Sequence, residues 1–328
     1  MGGEYVTGYI EDITFLNEKA IKFGNETLEA ILVPVLGSNL LSFKFKQNDI
    51  ELLRTPKTLE DYREVPILYG MPILFPPNRI EGGQFTYKQI TYKFPINEIE
   101  KSNHIHGLLY DKPWQVIKRE VNGEKIVITT EFLSSDFPFL KRYFPHDFTI
   151  NMTFSLNDNA LNVQLEIINN GQVPFPWGVG YHTIFNFPFV PSSKLMDCRI
   201  SLPVNKQWEL NDRSLPTGKI QATPNTMEIQ NGFSIEGRQF DDIFGYDENL
   251  ENECVLTDQE AGLQVCYHGD DHFKFWVLFN QKGFVCPEPY TWVTNAPNLD
   301  LSAELTGLRE LGPGERVRLR TKLSLKQI

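Results

Sequence analysis

The chain has 328 residues and a formal net charge of −11, with a pI near 5.1. That balance argues against nucleic acid and anionic membrane surfaces as partners, since both call for a basic face. The polar start from Met1 to Gly8 leads into no apolar signal segment, and no stretch approaches the roughly 18 apolar residues of a membrane span, so a cytoplasmic protein is expected.

Along the chain, Thr58 suits the N-cap of a short helix reaching Tyr62. The proline-rich run from Pro66 to Pro77 is expected at an edge or in a loop, because proline cannot donate to an interior ladder. Gln84 to Lys88 and Ile90 to Phe94 alternate apolar and polar residues about a turn, and Lys125 to Thr130 alternates as well. Phe148 to Phe154 and Leu161 to Ile167 flank the polar turn Asn157-Asp158-Asn159 and read as a hairpin. Pro174-Phe175-Pro176 and Pro287-Glu288-Pro289 are again expected at edges or in loops. His272 to Phe279 and Arg316 to Arg320 read as strands, and Ala303 to Leu308 as a short helix. Helical periodicity is otherwise nearly absent. Strands at this density indicate an all-β fold, a large antiparallel sandwich. Length alone suggests about two domains, but such sandwiches exceed about 200 residues as one unit, so a single domain over 1–328 is expected. An open sandwich edge is compatible with a monomer or a homodimer.

The 41 aromatic residues (24 Phe, 12 Tyr, 5 Trp) suit strands and are also the residues that line sugar sites. The four cysteines, Cys198, Cys254, Cys266 and Cys286, lack CxxC spacing and are expected as free thiols. His268-Gly269-Asp270-Asp271-His272 holds metal-type residues, but its composition is that of a hairpin turn without helical register, so no metal site is assigned. Titratable groups concentrate among aromatics in three places: Asn78-Arg79 with His104-Ile105-His106, the segment around His182, and the segment around Glu288. One arginine, two histidines and one glutamate suffice for acid/base work on a neutral polyol. Arginine is a planar multiple donor, histidine changes charge near neutrality, and a glutamate between prolines and aromatics is desolvated toward a useful base.

Three of these segments resemble motifs of the aldose 1-epimerases. They are Gly70-Met71-Pro72-Ile73-Leu74-Phe75-Pro76-Pro77-Asn78-Arg79-Ile80 with His106-Gly107, then Gly180-Tyr181-His182-Thr183-Ile184-Phe185, then Glu288-Pro289-Tyr290-Thr291 with Ala296-Pro297-Asn298. They fall in the family's order. The resemblance implies a galactose mutarotase-like β-supersandwich, a monosaccharide substrate (a hexose such as galactose or glucose), and no metal or organic cofactor. It implies that Glu288 is the base toward the anomeric hydroxyl and His182 the acid toward the ring oxygen. His106 is then the second active-site histidine, and Arg79, with Asn78 in the same motif, binds sugar. Phe240-Asp241-Asp242-Ile243-Phe244 resembles the family's aspartate segment; spacing favours Asp241 as the sugar ligand, with Asp242 the alternative. The chain departs from the family at Thr183 and Ile184, where proline and an aromatic are usual, which points to a lost aromatic platform and bears on which sugar is preferred more than on the chemistry.

Rival readings within the same fold are a hexose-6-phosphate mutarotase, with Arg54 and Arg63 as phosphate cations, and a non-catalytic sugar-binding protein. A glycoside hydrolase using Glu288 and Asp241 is a third.

Overall fold

Strands with a period-two pattern must pair to satisfy their backbone groups, and they do so here almost entirely in antiparallel ladders. The computed structural model describes residues 8–328, so the start read above for a signal lies outside them except for Gly8. An eight-stranded sheet holds, in spatial order, Gln115–Asn122, Lys125–Leu133, Phe148–Asn157, Ala160–Asn169, Arg316–Gln327, Leu263–Gly269, Glu253–Asp258 and Arg199–Ser201. The expected hairpin is at its centre, with Asn157 paired to Ala160 across the turn. A second sheet runs Pro216–Gln221, Val204–Leu210, Asp241–Tyr246, Phe275–Gln281, Phe284–Tyr290, Gly180–Tyr181 and Ile73–Leu74, with Phe185–Asn186 also on Phe284–Tyr290. A buried apolar cluster running from Ile21 to Leu325 draws side chains from both sheets. Each fully buried Phe or Leu in it contributes about 1.5–3 kcal/mol relative to an exposed one. Among the described residues, no helix is long and apolar enough to cross a membrane. All four cysteines are buried and unpaired.

Alternation does not reveal the N-terminal five-stranded meander of Tyr9–Phe15, Glu18–Gly24, Leu28–Val33, Asn39–Phe45 and Ile50–Glu51. Asn39–Phe45 is buried on both faces, so the run Leu40-Leu41-Ser42-Phe43 carries no polar face to mark its period. The helix at Leu59–Glu64 is capped by Thr58 as expected, with Asp61 completing the capping box. The helix expected to reach Leu308 stops at Thr306, because Gly307 turns left-handed at φ 72°. A further helix, Pro224–Asn231, buries only Thr226 and Ile229 and so has no apolar stripe to announce it; its signal is Thr223 as N-cap before Pro224.

Two expectations are corrected. His268-Gly269-Asp270-Asp271-His272 is not a hairpin turn. Leu263–Gly269 and Phe275–Gln281 belong to different sheets, so the segment crosses between them. The next strand begins at Phe275, and His272 Nδ1 instead lies 3.1 Å from Asp270 Oδ1. Likewise Pro287 and Pro289 are not at an edge but in an interior strand, between Phe275–Gln281 and the Gly180–Asn186 segment. The backbone amide of Thr291 donates to Val179 O at 2.9 Å, whereas Tyr290 O accepts from Lys274. Alternation then turns residues 285, 287, 289 and 291 toward the Gly180–Asn186 side. That segment leaves the sheet between Tyr181 and Phe185, so the missing proline N–H groups face a gap in the ladder.

Candidate active site

The strand Phe284–Tyr290 places Cys286, Glu288 and Tyr290 on one face by its period of two. Register extends that face: Phe279 stands opposite Cys286, and Asp241 opposite Phe279. Gly180 lies opposite Tyr290, and a Cβ there would sit 2.3 Å from the Tyr290 ring. Glycine therefore lets the ring lie flat enough for its hydroxyl to donate to Glu288 Oε2 at 2.5 Å. Just past Gly180–Tyr181 the chain leaves the sheet, and the amide of His182 donates to Pro72 O at 3.0 Å. This carries the imidazole over the same face, with His182 Nε2 3.5 Å from Glu288 Oε1.

The other wall comes from two left-handed turns. Asn78 (φ 52°) and His106 (φ 69°) both adopt a conformation non-glycine residues rarely take, and the amide of His106 donates to Asn78 O at 3.1 Å. Asn78 Oδ1 accepts from the Arg79 amide at 2.8 Å, and its Nδ2 donates to the Tyr290 hydroxyl at 3.3 Å. Arg79 is held by Glu98, whose two carboxylate oxygens both accept from Nε at 3.0 Å. Arg79 Nη2 then reaches Asp241 Oδ2 at 3.3 Å. The His106 and His182 rings meet edge to face, 5.1 Å apart.

Together these groups enclose a cavity of about 130 Å³, lined by Ile67, Leu68, Asn78, Arg79, Ile105, His106, His182, Asp241, Phe279 and Glu288. All six residues singled out in the sequence line it. Larger hollows exist, among them an open depression of about 660 Å³ at Met227, Phe233 and Arg238, but its Arg238 is already paired with Glu228 at 2.6 Å.

Several alternatives fall away from the cavity. Asp242 accepts from Gln207 at 2.8 Å, being one residue out of phase with Asp241 on its strand. His104 is buried against Phe94 and bonded to Pro95 O. Thr183 and Ile184 do not line the cavity either: Thr183 bonds the Tyr267 hydroxyl and Ile184 packs on Phe284 and Cys286. The departure at these positions therefore removes no wall, and the aromatic wall is Phe279 from another strand. Arg54 is stacked between Tyr69 and Phe284 and donates to Leu68 O, while Arg63 pairs with Glu18; neither lines the cavity. Sequence reading missed Phe279, Glu98, Cys286 and the role of Tyr290. The last two were accessible from the alternation around Glu288; Phe279 and Glu98 required the fold.

Burial dominates the electrostatics. It raises the Glu288 carboxyl well above its usual range, and nearby Asp241 adds to this, while the Tyr290 hydroxyl and Arg79 oppose it. Burial also lowers His182 to about 4 and pushes His106 well down, the latter helped by His182 and Arg79. His106 Nδ1 is buried with no partner among the described residues. His182, Cys286 and Glu288 have donor atoms within 4.8 Å of one another. The thiol faces Nδ1 of His182 and the carboxyl faces Nε2.

Comparison with known proteins places the chain among sugar epimerases. The family model for aldose 1-epimerase matches residues 19–324. A galactose mutarotase-like protein of Clostridium acetobutylicum superposes with a TM-score of 0.94 at 30 % identity, covering 98 % of this chain and 99 % of that one. Galactose 1-epimerase of Lactobacillus acidophilus shares the fold at a TM-score of 0.77 and 15 % identity, covering 98 % and 99 %. The uncharacterised protein YihR of Escherichia coli is 24 % identical over 273 residues, 81 % of this chain and 82 % of its own length. With a family match across almost its whole length and a near-complete superposition, the chain belongs to the aldose 1-epimerase family.

Proposed function

We propose that the protein interconverts the α and β anomers of a free, uncharged hexose such as galactose or glucose, with Glu288 as base and His182 as acid. The observation that carries this is the buried pair itself: a carboxyl and an imidazole 3.5 Å apart, opening on a cavity edged by hydroxyl-binding groups. Burying Glu288 costs stability, and among the described residues no lysine or arginine is paired with it, which favours a functional over a structural carboxyl.

The pair carries one exchangeable proton at neutral pH. In the empty pocket, burial keeps that proton on Glu288. A bound sugar, with the Tyr290 hydroxyl and Arg79 favouring the carboxylate, lets it pass to His182; the pair stays net neutral throughout. Glu288 then takes the O1 proton while His182 gives its Nε2 proton to the ring oxygen, and the C1–O5 bond breaks. The open aldehyde turns about C1–C2. The 5-hydroxyl closes on the other face of C1, returning its proton to His182 as Glu288 reprotonates O1. Each positioned acid or base contributes about 10²–10⁴-fold. Asn78, Arg79 and Asp241 hold sugar hydroxyls, and His106, which lines the same cavity, stands near the ring oxygen.

An uncharged substrate is favoured because Arg79 is already flanked by the carboxylates of Glu98 and Asp241. The experiment is polarimetry on freshly dissolved α-D-galactose, α-D-glucose and glucose 6-phosphate. The expected result is acceleration over buffer for at least one free hexose. A rate increase confined to the phosphate ester would favour the phosphorylated substrate instead.

A further inference from the structure

Among the described residues, Nδ1 of His182 lies 3.3 Å from the sulfur of Cys286, and the backbones of His182 itself and of Ile67 also come within reach of the ring. Both side chains are buried, Cys286 at 0 % and His182 at 4 % exposure. Cys286 also stands two residues before Glu288 on the same strand face, so the thiol lies beside both members of the acid/base pair. Which nitrogen of a neutral imidazole carries the proton is decided by the partner of the other nitrogen. The cycle above, on which this inference rests, requires Nε2 to gain and lose a proton while Nδ1 keeps its own.

We propose that Cys286 is a positioning residue: its sulfur accepts the Nδ1–H of His182 and so reserves Nε2 as the nitrogen that exchanges protons with Glu288 and the sugar. Burial and the neighbouring Glu288 hold the thiol protonated. It is therefore an uncharged, weak acceptor. A carboxylate at this place would stabilise the imidazolium and make His182 a poorer acid. The thiol fixes the tautomer without that penalty, consistent with a His182 that burial can still lower to about 4.

The test is ¹⁵N NMR of histidine-labelled full-length protein at neutral pH without sugar, His182 being assigned by its loss in His182→Gln. The expected spectrum has a protonated Nδ1 and an unprotonated Nε2, the tautomer that free histidine disfavours. A protonated Nε2, or an even mixture, overturns the proposal. This readout needs no turnover, so it stands apart from any failure of the mutarotase reading. In Cys286→Ala the tautomer should become mixed and kcat fall about fivefold, the worth of one modest hydrogen bond, with KM nearly unchanged. Cys286→Ser, whose hydroxyl also accepts, should restore both, and thermal melts of the two variants exclude misfolding as the cause. An Ala variant with an unchanged tautomer overturns the role.

Discussion

Glu288 and His182 face each other at 3.5 Å with their side chains only 3 % and 5 % exposed. Water is nearly shut out, so a proton moving between them is not levelled by solvent, and its place is set by the groups around the pair.

Glu288→Gln keeps the shape of the side chain and removes the base. Turnover should fall by about 10²–10⁴-fold, while sugar affinity, measured by calorimetry, changes little. Activity retained within threefold of wild type would mean that another group takes the O1 proton.

The pH dependence follows from counting protons on the pair. The active form carries one. A second proton adds only as pH falls toward the lowered value of His182, about 4, so the acid limb should lie there. The last proton leaves only at the raised value of Glu288, so the alkaline limb lies well above the ordinary carboxylate range. After subtraction of the buffer rate, kcat should be flat through neutrality. An acid limb near 6.5, the ordinary histidine value, would show that His182 is not desolvated in the working enzyme.

Tyr290→Phe removes a hydrogen bond that favours the ionised carboxylate. The sign is then fixed: Glu288 rises further, the alkaline limb moves to higher pH, and kcat on the plateau falls by about tenfold as the carboxylate becomes harder to form. A pH–rate profile of the variant checks both shifts together.

Much of this site was legible in the sequence because its chemistry sits on short, ordered segments. Asn78, Arg79, His106, His182, Asp241 and Glu288 were each marked by neighbours in their own stretch. What stayed hidden depended on register. Phe279 reaches the cavity only because it stands opposite Asp241 and Cys286 across the sheet. Glu98 matters only because a turn brings it to Arg79. The prolines around Glu288 misled for a physical reason: a strand interior tolerates them where the neighbouring chain has already left the ladder.

Glu98→Gln tests one of those hidden residues. The variant loses the charge that fixes Arg79 through two bonds to Nε. Charge-assisted bonds of this kind are worth about 1.5–3 kcal/mol. KM for the hexose should rise about tenfold or more, with kcat changed much less. An equal fall in kcat with KM unmoved would place Glu98 in the chemistry rather than in holding Arg79.

Gly107→Ala tests the turn that carries His106. Gly107 has φ 72°, and an added Cβ would sit 2.3 Å from Phe75 O, a backbone atom that cannot swing aside. A left-handed non-glycine residue costs about 1–3 kcal/mol before any clash. The denaturant midpoint should drop accordingly, with activity lost in step as His106 shifts. An unchanged midpoint would contradict the tight packing of this turn.

The most direct test of the central claim is two-dimensional exchange NMR on the anomeric protons of galactose and glucose at equilibrium. No net reaction is needed, and interconversion is read as cross peaks between the α and β signals. The account predicts cross peaks with wild-type protein that vanish with Glu288→Gln at the same concentration. Wild-type spectra indistinguishable from buffer for both sugars would contradict it.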